Sequence, residues 1–367
     1  MPGHMSVSCG IVGLPNVGKS TIFSALSSAK AEVGNFPFCT IEPNVAVVEV
    51  PDERLQIIHG FIETQRVLPA VVKIVDIAGL VAGASEGEGM GNKFLGNIKE
   101  CDAIMQVVRC FGGEKVLREG DIDPIGDIEV IELELAMADL ETLRRALDRV
   151  AKKGRAGDKD ALFDAENFTK AIEILDAGQQ LREFDWNDRQ RLSLKPLFLM
   201  TMKPVLYVAN VGDDDLQGEN AWCKLVAEHA NKQGSQWIPI CGDLELELRS
   251  MDEEDRAMFM EDLGVEQLGL ERLIRTVYQL LGLQTYFTAG EKEVRAWTIH
   301  AGDAAPKAAG VIHTDFEKAF IRAEVYSVTD LEELHSESAI RAAGKLRTEG
   351  REYKMREGDV AHFLLGK

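Results

Sequence analysis

The chain has 367 residues, of which 45% are hydrophobic, and it carries a formal net charge of −20 at pH 7. This length predicts two or three domains with cores of their own, and the negative charge argues against broad, non-specific binding of nucleic acid such as DNA. The six cysteines form no CxxC pair and no apolar run approaches a membrane span, so we expect a cytoplasmic protein with reduced thiols and no membrane partner.

The first motif is GLPNVGKST, from Gly13 to Thr21, between a predicted strand, VSCGIVG, and a predicted helix, KSTIFSALSSA. It fits the phosphate-loop pattern G-x-x-x-x-G-K-[ST], whose backbone N–H groups turn toward the phosphates of a nucleotide. Lys19 would reach the β- and γ-phosphates, and the Ser20 hydroxyl would ligate Mg²⁺. The residues expected to bind the nucleotide here are Asn16, Val17, Gly18, Lys19, Ser20 and Thr21.

Two downstream segments predict the rest of the phosphate and metal site. In NFPFCTIEPN, Thr40 is the natural second hydroxyl ligand of Mg²⁺, and a surface turn shaped by the prolines is the alternative. The next apolar run, VVKIVDIAG, ends in DIAG, where Asp76 would hold Mg²⁺ through water and the Gly79 N–H would sense the γ-phosphate. Leu80 stands where many signalling GTPases carry a Gln that orients water. Hydrolysis is therefore expected to be slow or to need a partner.

Three more continuous apolar runs, AIMQVVRC, PVLYVANV and WIPIC, predict further buried strands of a mostly parallel sheet with helices on both sides. Between the first two of these runs, residues 127–198 carry no strand signal. Apolar residues recur there at coiled-coil spacing: Leu133, Ala136, Leu140, Leu143, Leu147 and Val150, then Ala161, Ala165, Phe168, Ile172 and Leu175. This pattern predicts an antiparallel helical hairpin inserted as an arm. Two amphipathic helices packed flat on the sheet are the alternative.

The run PVLYVAN leads into the residues that should choose the base. Asn210, Val211, Gly212 and Asp213 stand where guanine-binding proteins carry N-K-x-D. Asp213 alone favours guanine, whose N1 and N2 protons a carboxylate can accept. Val211 removes the Lys that flanks the ring, Asn210 can exchange hydrogen bonds with adenine, and Gly212 lets Asp213 withdraw. We predict that ATP binds more tightly than GTP, with Val211 against the ring, and a GTP-preferring protein is the alternative.

After Gly282 the composition shifts, and EVRAWTIHAG, AFIRAEVYSV and DVAHFLL predict short strands around one helix, a small α+β domain. Taken together, the chain resembles the YchF-type (Obg-like) ATPases, which are P-loop proteins of the translation-factor class. The strings that carry the resemblance, from about Val7 to the C-terminus, are GLPNVGKST, NFPFCTIEPN, DIAGLV, ASEGEGMGNKFL, LQTYFTAGEKEVRAWTI, IHTDFEKAFIRAEV and GDVAHFL.

The resemblance implies an α/β P-loop NTPase domain of the Obg type over residues 7–282, interrupted at 127–198 by the coiled-coil arm. It also implies a β-grasp-like TGS domain at 283–367, a preference for ATP over GTP, and association with the ribosome. Two positions depart from the family pattern. Asp213 stands where the family usually has Glu, and Arg118 stands where a His is proposed to act in hydrolysis. Arg118 could stabilise charge on the γ-phosphate or be a surface residue beside Glu119.

The resulting functional prediction is a nucleotide-dependent switch. It would bind ATP with Mg²⁺, hydrolyse it slowly to ADP, and contact the large subunit or the whole ribosome through rRNA. Six basic residues near the end of the first arm helix are candidates for the rRNA contact, with a solvated helix end as the alternative: Arg144, Arg145, Arg149, Lys152, Lys153 and Arg155. A P-loop kinase of small molecules, and a ribosome-binding scaffold with a vestigial nucleotide site, are the competing functions. A kinase needs no Thr40–Asp76–Gly79 set, and intact Lys19 and Ser20 count against the scaffold.

Overall fold

A computed structural model of the chain describes residues 7–28, 44–77, 90–112, 122–265 and 267–366. Within these ranges the strands form two six-stranded sheets. The strands are β1 (Ser8–Val12), β2 (Val45–Glu49), β3 (Val67–Leu68), β4 (Val71–Asp76), β5 (Ala103–Arg109), β6 (Val205–Asn210), β7 (Gln236–Ile240), β8 (Leu283–Thr288), β9 (Val294–His300), β10 (Phe320–Ser327), β11 (Arg347–Glu349) and β12 (Asp359–Leu365). The helices are α1 (Lys19–Ser28), α2 (Arg54–Phe61), α3 (Met90–Glu100), α4 (Pro124–Gly154), α5 (Lys159–Asp176), α6 (Asp188–Leu194), α7 (Ala221–Lys232), α8 (Gly242–Ser250), α9 (Glu253–Asp262), α10 (Gly269–Leu280), α11 (Ala305–Ile312), α12 (Thr314–Ala319), α13 (Val328–Leu334) and α14 (Glu337–Ala342).

The first sheet has the order β2-β4-β1-β5-β6-β7, and only β2 runs antiparallel to its neighbour. All five apolar runs predicted as strands lie in it. Every residue of β1, β5 and β6 is buried, as expected for inner strands covered on both faces. The parallel strands end at one edge, where Ile11 pairs with Asp76 and Arg109 with Asn210. Ligands of α/β sheets bind at this carboxyl edge.

The insertion between β5 and β6 contains α4, α5 and the short helix α6, and its two long helices, α4 and α5, run antiparallel. The end of α4 at Gly154 faces Leu162 near the start of α5, and Arg144 pairs with Asp176 at the far end of α5. The first turns of α4 pack into the core of the first sheet, whereas its later turns share a separate apolar cluster with α5. The helix pair therefore has a core of its own as well as a base packed on the sheet.

The prediction that Leu133 belongs to the buried seam between the two helices is wrong. Leu133 is 61% exposed, whereas Ala136 and Leu143 are buried as predicted. At the base of α4 the buried face is set by Ile131 and Leu135, which pack on the sheet. Coiled-coil spacing assumes that α4 packs against another helix along its whole length. At its base, however, α4 packs against the sheet, and the exposed Leu133 lies outside that contact.

A buried polar network fixes α4 to the sheet. The Glu132 carboxylate accepts a hydrogen bond from the Tyr207 hydroxyl at 2.6 Å and another from Gln233 Nε2 at 3.0 Å, and it forms an ion pair with Arg182. Burial alone would raise the pKa of Glu132, but His229, Arg182, Tyr207 and Gln233 together lower it to about 2. The charged network therefore holds the arm at a defined position on β6 and α7.

The second sheet has the order β11-β10-β12-β8-β9-β3. Strand β8, which the pattern did not predict, lies between β12 and β9. The part of the C-terminal domain that the structure describes contains four helices, α11 to α14, rather than the one predicted. Strand β3 comes from the first domain and pairs in parallel with β9 through Val67 and Val294. The sheet thus uses residues from outside 283–367.

Among the helices that the structure describes, none combines the length and the apolar composition that crossing a membrane requires.

Candidate nucleotide-binding site

The phosphate loop joins the end of β1 to the start of α1. Asn16 and Gly18 adopt positive φ angles of 63° and 90°, which turn the backbone sharply before α1 begins at Lys19. A Cβ on Gly18 would lie 1.9 Å from Asn210 Nδ2, so only glycine fits at this position. Val17 is fully buried and anchors the loop in the core. The first N–H groups of a helix have no acceptor within the helix, and the motif predicts that those of α1 bind an anion.

Lys19 and Asp76 meet at this end of the sheet. Their side chains form an ion pair and are 11% and 20% exposed. The contact brings together a cation suited to phosphate and a carboxylate suited to a divalent metal. Ser20 lies next to Lys19 and is exposed at the start of α1. The structure therefore places three of the predicted site residues, Lys19, Ser20 and Asp76, in one region.

No group of three or more His, Cys, Asp or Glu side chains that could hold a metal occurs among the described residues. The donor set predicted for Mg²⁺ contains one carboxylate, Asp76, and the hydroxyls of Ser20 and Thr40. Mg²⁺ commonly keeps several waters and binds through one or two carboxylates together with substrate phosphates. The donors present on the described residues, Asp76 and Ser20, fit such a site.

Asn210 makes contacts within the protein that the sequence analysis did not predict. Its Nδ2 donates to the Val17 carbonyl at 2.9 Å, and its Oδ1 accepts from Gly242 N at 3.1 Å. The residue is 5% exposed. Its amide therefore links the phosphate loop to the start of α8. Because both ends of the amide are bonded within the protein and little of the residue is exposed, little of it is accessible for the predicted hydrogen bonds with adenine.

Val211 is largely buried as well. It is 3% exposed, and its backbone N–H donates to the Ile240 carbonyl at 2.9 Å. Its side chain packs in the core, so little of it is available to lie against a ring. Asp213, two residues on, is exposed. Of the three residues predicted to choose the base, Asp213 is the one whose side chain can approach a ligand.

The start of α8 was missed by the sequence reasoning. Gly242 N contacts Asn210, and a Cβ on Gly242 would lie 3.0 Å from Ile22 Cγ1 and 3.4 Å from Asn210 Oδ1. Cys241 precedes it and is buried, which raises the pKa of its thiol. A signal was present in the sequence, because WIPIC ends at Cys241 as PVLYVAN ends at Asn210, and adjacent parallel strands share one carboxyl edge.

The remaining predicted residues, Thr40, Gly79, Leu80 and Arg118, lie outside the described residues. Their roles stay predictions.

Comparison with known protein families gives two matches along the chain. Residues 8–144 match a family described as "50S ribosome-binding GTPase". Residues 283–365 match the C-terminal family of YchF GTPases, described as "protein of unknown function (DUF933)".

Comparison with individual proteins gives likenesses over the full length. The chain is 49% identical over 360 residues to a protein of Haemophilus influenzae named "Ribosome-binding ATPase YchF", covering 98% of this chain and 99% of that protein. Proteins of the same name from Escherichia coli O157:H7 and Bacillus subtilis are 50% and 46% identical, with the same coverage. The solved structure of the Schizosaccharomyces pombe YchF GTPase superposes with a TM-score of 0.89 at 39% identity and covers 99% of both chains.

Proposed function

Because this chain belongs to the YchF family, we propose that it is a ribosome-binding ATPase whose bound nucleotide switches it between two states. The main support for the proposal is that the phosphate loop and the Lys19–Asp76 ion pair lie together at the carboxyl edge of the first sheet. Relatives that bear the name ribosome-binding ATPase match the chain from end to end. The proposed setting is the cytoplasm, where ribosomes are found.

The chemistry proposed for this site is the transfer of the γ-phosphate of ATP to water. Lys19 binds the β- and γ-phosphates and stabilises the negative charge that develops on them. Ser20, Thr40 and Asp76 would hold Mg²⁺, which would further neutralise the phosphate charge. Gly79 and Arg118 are proposed to sense and stabilise the γ-phosphate. With Leu80 in place of a water-orienting Gln, turnover in the absence of a partner is slow.

The base is proposed to be adenine, and a specific observation keeps guanine as the second candidate. Asp213 is exposed at the end of β6, where its carboxylate can accept protons from guanine N1 and N2. Losing a site's paired hydrogen bonds costs far more than losing a methylene group, so this one residue is able to decide between the two purines.

The proposed partner is the ribosome, either its large subunit or the whole particle, through rRNA. The chain is acidic overall, so contact with rRNA depends on local basic surface. The proposed domain limits are those of the nucleotide-binding domain at 7–282, interrupted at 127–198, and a TGS domain at 283–367.

Two measurements on the full chain test the proposal. Phosphate release from Mg·ATP should be slow without an added acceptor, and the protein should pellet with purified ribosomes to an extent that depends on ATP, a non-hydrolysable analogue or ADP. Lys19→Ala serves as the matched variant, and it should lose the nucleotide dependence of pelleting. Turnover only in the presence of a small-molecule acceptor would favour a kinase instead. Ribosome binding identical in wild type and Lys19→Ala, with no ATP turnover, would favour a scaffold.

A further inference from the structure

The segment 44–77 leaves the nucleotide site, reaches the C-terminal domain and returns. It begins with β2 and ends with β4, which pair antiparallel from Val45–Val75 to Glu49–Val71. At the site end, Asp76 N donates to the Asn44 carbonyl at 2.7 Å. Both ends of the segment therefore lie beside the Lys19–Asp76 pair, and any shift of Asp76 acts directly on β4 and, through the ladder, on β2.

Between β2 and β4 the segment joins the second sheet through its backbone. Strand β3 pairs with β9, and two more backbone bonds extend the contact, Gln65 N to Glu291 O at 3.2 Å and Val294 N to Arg66 O at 2.9 Å. Two residues separate β3 from β4, and the second of them, Ala70, accepts a hydrogen bond from Val50 N at 2.8 Å. Because this connection is short and hydrogen-bonded, it has little conformational freedom, and β4 cannot move far relative to the C-terminal sheet without moving β3.

The side chain of Arg54 adds a second connection between segment 44–77 and the C-terminal domain. The Arg54 guanidinium bonds the Asp52 carboxylate at 2.8 and 2.6 Å, pairs with Glu357 at 2.5 Å, and lies 5.1 Å from the centre of the Phe287 ring. Glu357 in turn accepts from Thr285 N at 2.8 Å, on β8. Arg54 therefore connects the start of α2 to two elements of the C-terminal domain.

The packing around Arg54 is continuous. A Cβ on Gly358 would lie 2.9 Å from Arg54 Nη1, and Gly358 has a φ of 81°, so glycine is required beside the guanidinium. Leu55, which follows Arg54, and Ile58, one turn further along α2, are buried in the same apolar cluster as Phe287, Leu331 and Val360. Close packing of this kind transmits displacement instead of absorbing it.

From this geometry we propose that the state of the nucleotide site is transmitted to the C-terminal domain through segment 44–77, with Arg54 as its side-chain connection. The inference rests on the proposed nucleotide switch and adds the route by which the switch reaches the second sheet. A nucleotide that replaces the Lys19–Asp76 pair changes the forces on the end of β4. Because β3 belongs to the second sheet, that change reaches β9 and, through Arg54, β8 and Glu357. A ligand shifts such an equilibrium only by its difference in affinity for the two states.

Hydrogen–deuterium exchange of the full chain, with and without a non-hydrolysable Mg·ATP analogue, tests the route. In the wild type, peptides covering 283–300 and 355–361 should change their exchange rates by about threefold or more when the analogue binds. In Arg54→Ala and Arg54→Lys at least half of that change should disappear, while affinity for the analogue stays within about tenfold, the usual size of coupling between sites. The matched control is Arg66→Ala, an exposed arginine of the same segment whose backbone carbonyl accepts a hydrogen bond from Val294 N.

Titration calorimetry on the same samples separates the two hypotheses. Full binding of the analogue with unchanged exchange in the C-terminal peptides overturns this inference and leaves the proposed function standing. A nucleotide-dependent change that persists undiminished in both Arg54 variants overturns the assignment to Arg54. If the analogue does not bind at all, the proposed function fails, and this inference fails with it. Unfolding curves of each variant establish that the compared samples are folded.

Discussion

The ammonium group of Lys19 and the carboxylate of Asp76 form an ion pair that joins the start of α1 to the end of β4. Each is positioned by its own element, Lys19 as the first residue of α1 and Asp76 by its backbone bond to Asn44. In the proposed complex, Lys19 would bind the phosphates and Asp76 would hold Mg²⁺ through water. On this proposal, nucleotide binding would exchange the partners of Lys19 and Asp76, and charge-assisted contacts would offset the cost of breaking the pair.

Removing either the Lys19 ammonium group or the Ser20 hydroxyl should prevent binding or turnover of the nucleotide. We expect Lys19→Ala or Ser20→Ala to lower turnover of Mg·ATP by about 100-fold or more, because each removes an electrostatic contact that strengthens in the transition state. Titration calorimetry and a single-turnover assay measure binding and chemistry separately. Lys224→Ala, an exposed lysine of α7, is the control and should behave as the wild type. Unchanged Mg·ATP affinity and turnover in both site variants would show that this loop does not bind the nucleotide.

Asn210 should act through structure instead of base recognition. Asn210→Ala leaves the Val17 carbonyl and Gly242 N–H without their partner, so we expect a free energy of unfolding lower by about 1–3 kcal/mol. Affinity for ATP and GTP should fall by the same factor, because the phosphate loop serves both. Urea unfolding and parallel titrations measure these effects, with exposed Asn231→Ala as control. A changed preference between ATP and GTP at unchanged stability would mean that Asn210 reads the base after all.

The sequence predicted the parts of the fold that depend on local pattern. The phosphate loop was found from its motif, and the five strands around it are continuous apolar runs. Inner parallel strands have this composition because both of their faces are buried. Strand β3 has two residues and carries no periodic signal, so its place in the second sheet could not be predicted. Leu133 was misassigned because spacing along a helix does not tell whether the partner is a helix or a sheet.

The role of Asn210 could not be predicted for a different reason. Its bond to the Val17 carbonyl joins residues 193 positions apart, and such a contact exists only once the strands are assembled. The motif comparison treated this side chain as free to contact a base, because the sequence gives no sign of its partners in the fold. In the same way, the limits drawn at 282 and 283 follow a shift in composition, whereas the hydrogen bonds of β9 to Val67 and Leu68 cross that limit.

The Glu132 network predicts how stability depends on pH. The pKa of Glu132 falls from 4.5 to about 2 on folding, so its ionised form stabilises the folded chain by on the order of 3 kcal/mol. This stabilisation is complete above about pH 4.5 and is lost as the pH falls through about 2. Glu132→Gln should therefore lower the free energy of unfolding at pH 7, and its difference from the wild type should shrink between pH 4.5 and 2.

Urea unfolding of Glu132→Gln and wild type at pH 7, 4 and 2.5 measures this difference, with Glu129→Gln, on the exposed side of α4, as the control. The loss at pH 7 should exceed that of the control by several-fold, because Arg182 Nε and Nη1 are buried without hydrogen-bond partners and the guanidinium would lose its carboxylate. A difference that stays the same at all three pH values would contradict the lowered pKa.

The basic end of α4 should contribute to ribosome binding. All six basic residues there are exposed, and two of them, Arg144 and Arg145, pair with Asp176 and Glu141. Exposed pairs of this kind are weak and can be exchanged for phosphate contacts. Replacing Arg144, Arg145, Arg149, Lys152, Lys153 and Arg155 with Gln should weaken co-sedimentation with ribosomes and flatten its dependence on salt, since fewer counterions are released.

A charge-matched control carries Gln at six exposed lysines elsewhere: Lys195, Lys224, Lys232, Lys292, Lys318 and Lys354. Equal effects of the two variants would mean that net charge, and not the end of α4, governs the contact. Pelleting that is unaltered by the α4 substitutions at every salt concentration would exclude an rRNA contact at this place.

The prediction on the base concerns the position of Asp213 relative to the purine. With Asn210 bonded to the backbone and Val211 in the core, Asp213 is the predicted base-reading residue that remains exposed. Adenine offers an N6 donor and an N1 acceptor, so a carboxylate facing N1 is repelled by adenine and bonded by guanine. We predict that ATP nevertheless binds more tightly than GTP in the wild type, which requires Asp213 to stand away from that edge. Gly212 gives the loop the freedom to do so.

Asp213→Ala then distinguishes the two arrangements. If Asp213 stands away from the base, the substitution should change ATP and GTP affinity by the same factor, within about twofold, and the preference for ATP should persist. If Asp213 grips guanine, GTP affinity should fall by about 10- to 100-fold, as expected for the loss of hydrogen bonds to a charged group, while ATP affinity stays constant. Side-by-side titration of both nucleotides measures this, with Asp214→Ala, the neighbouring exposed carboxylate, as control. A clear preference of the wild type for GTP, lost in Asp213→Ala, would show that Asp213 reads guanine and that the assignment of ATP is wrong.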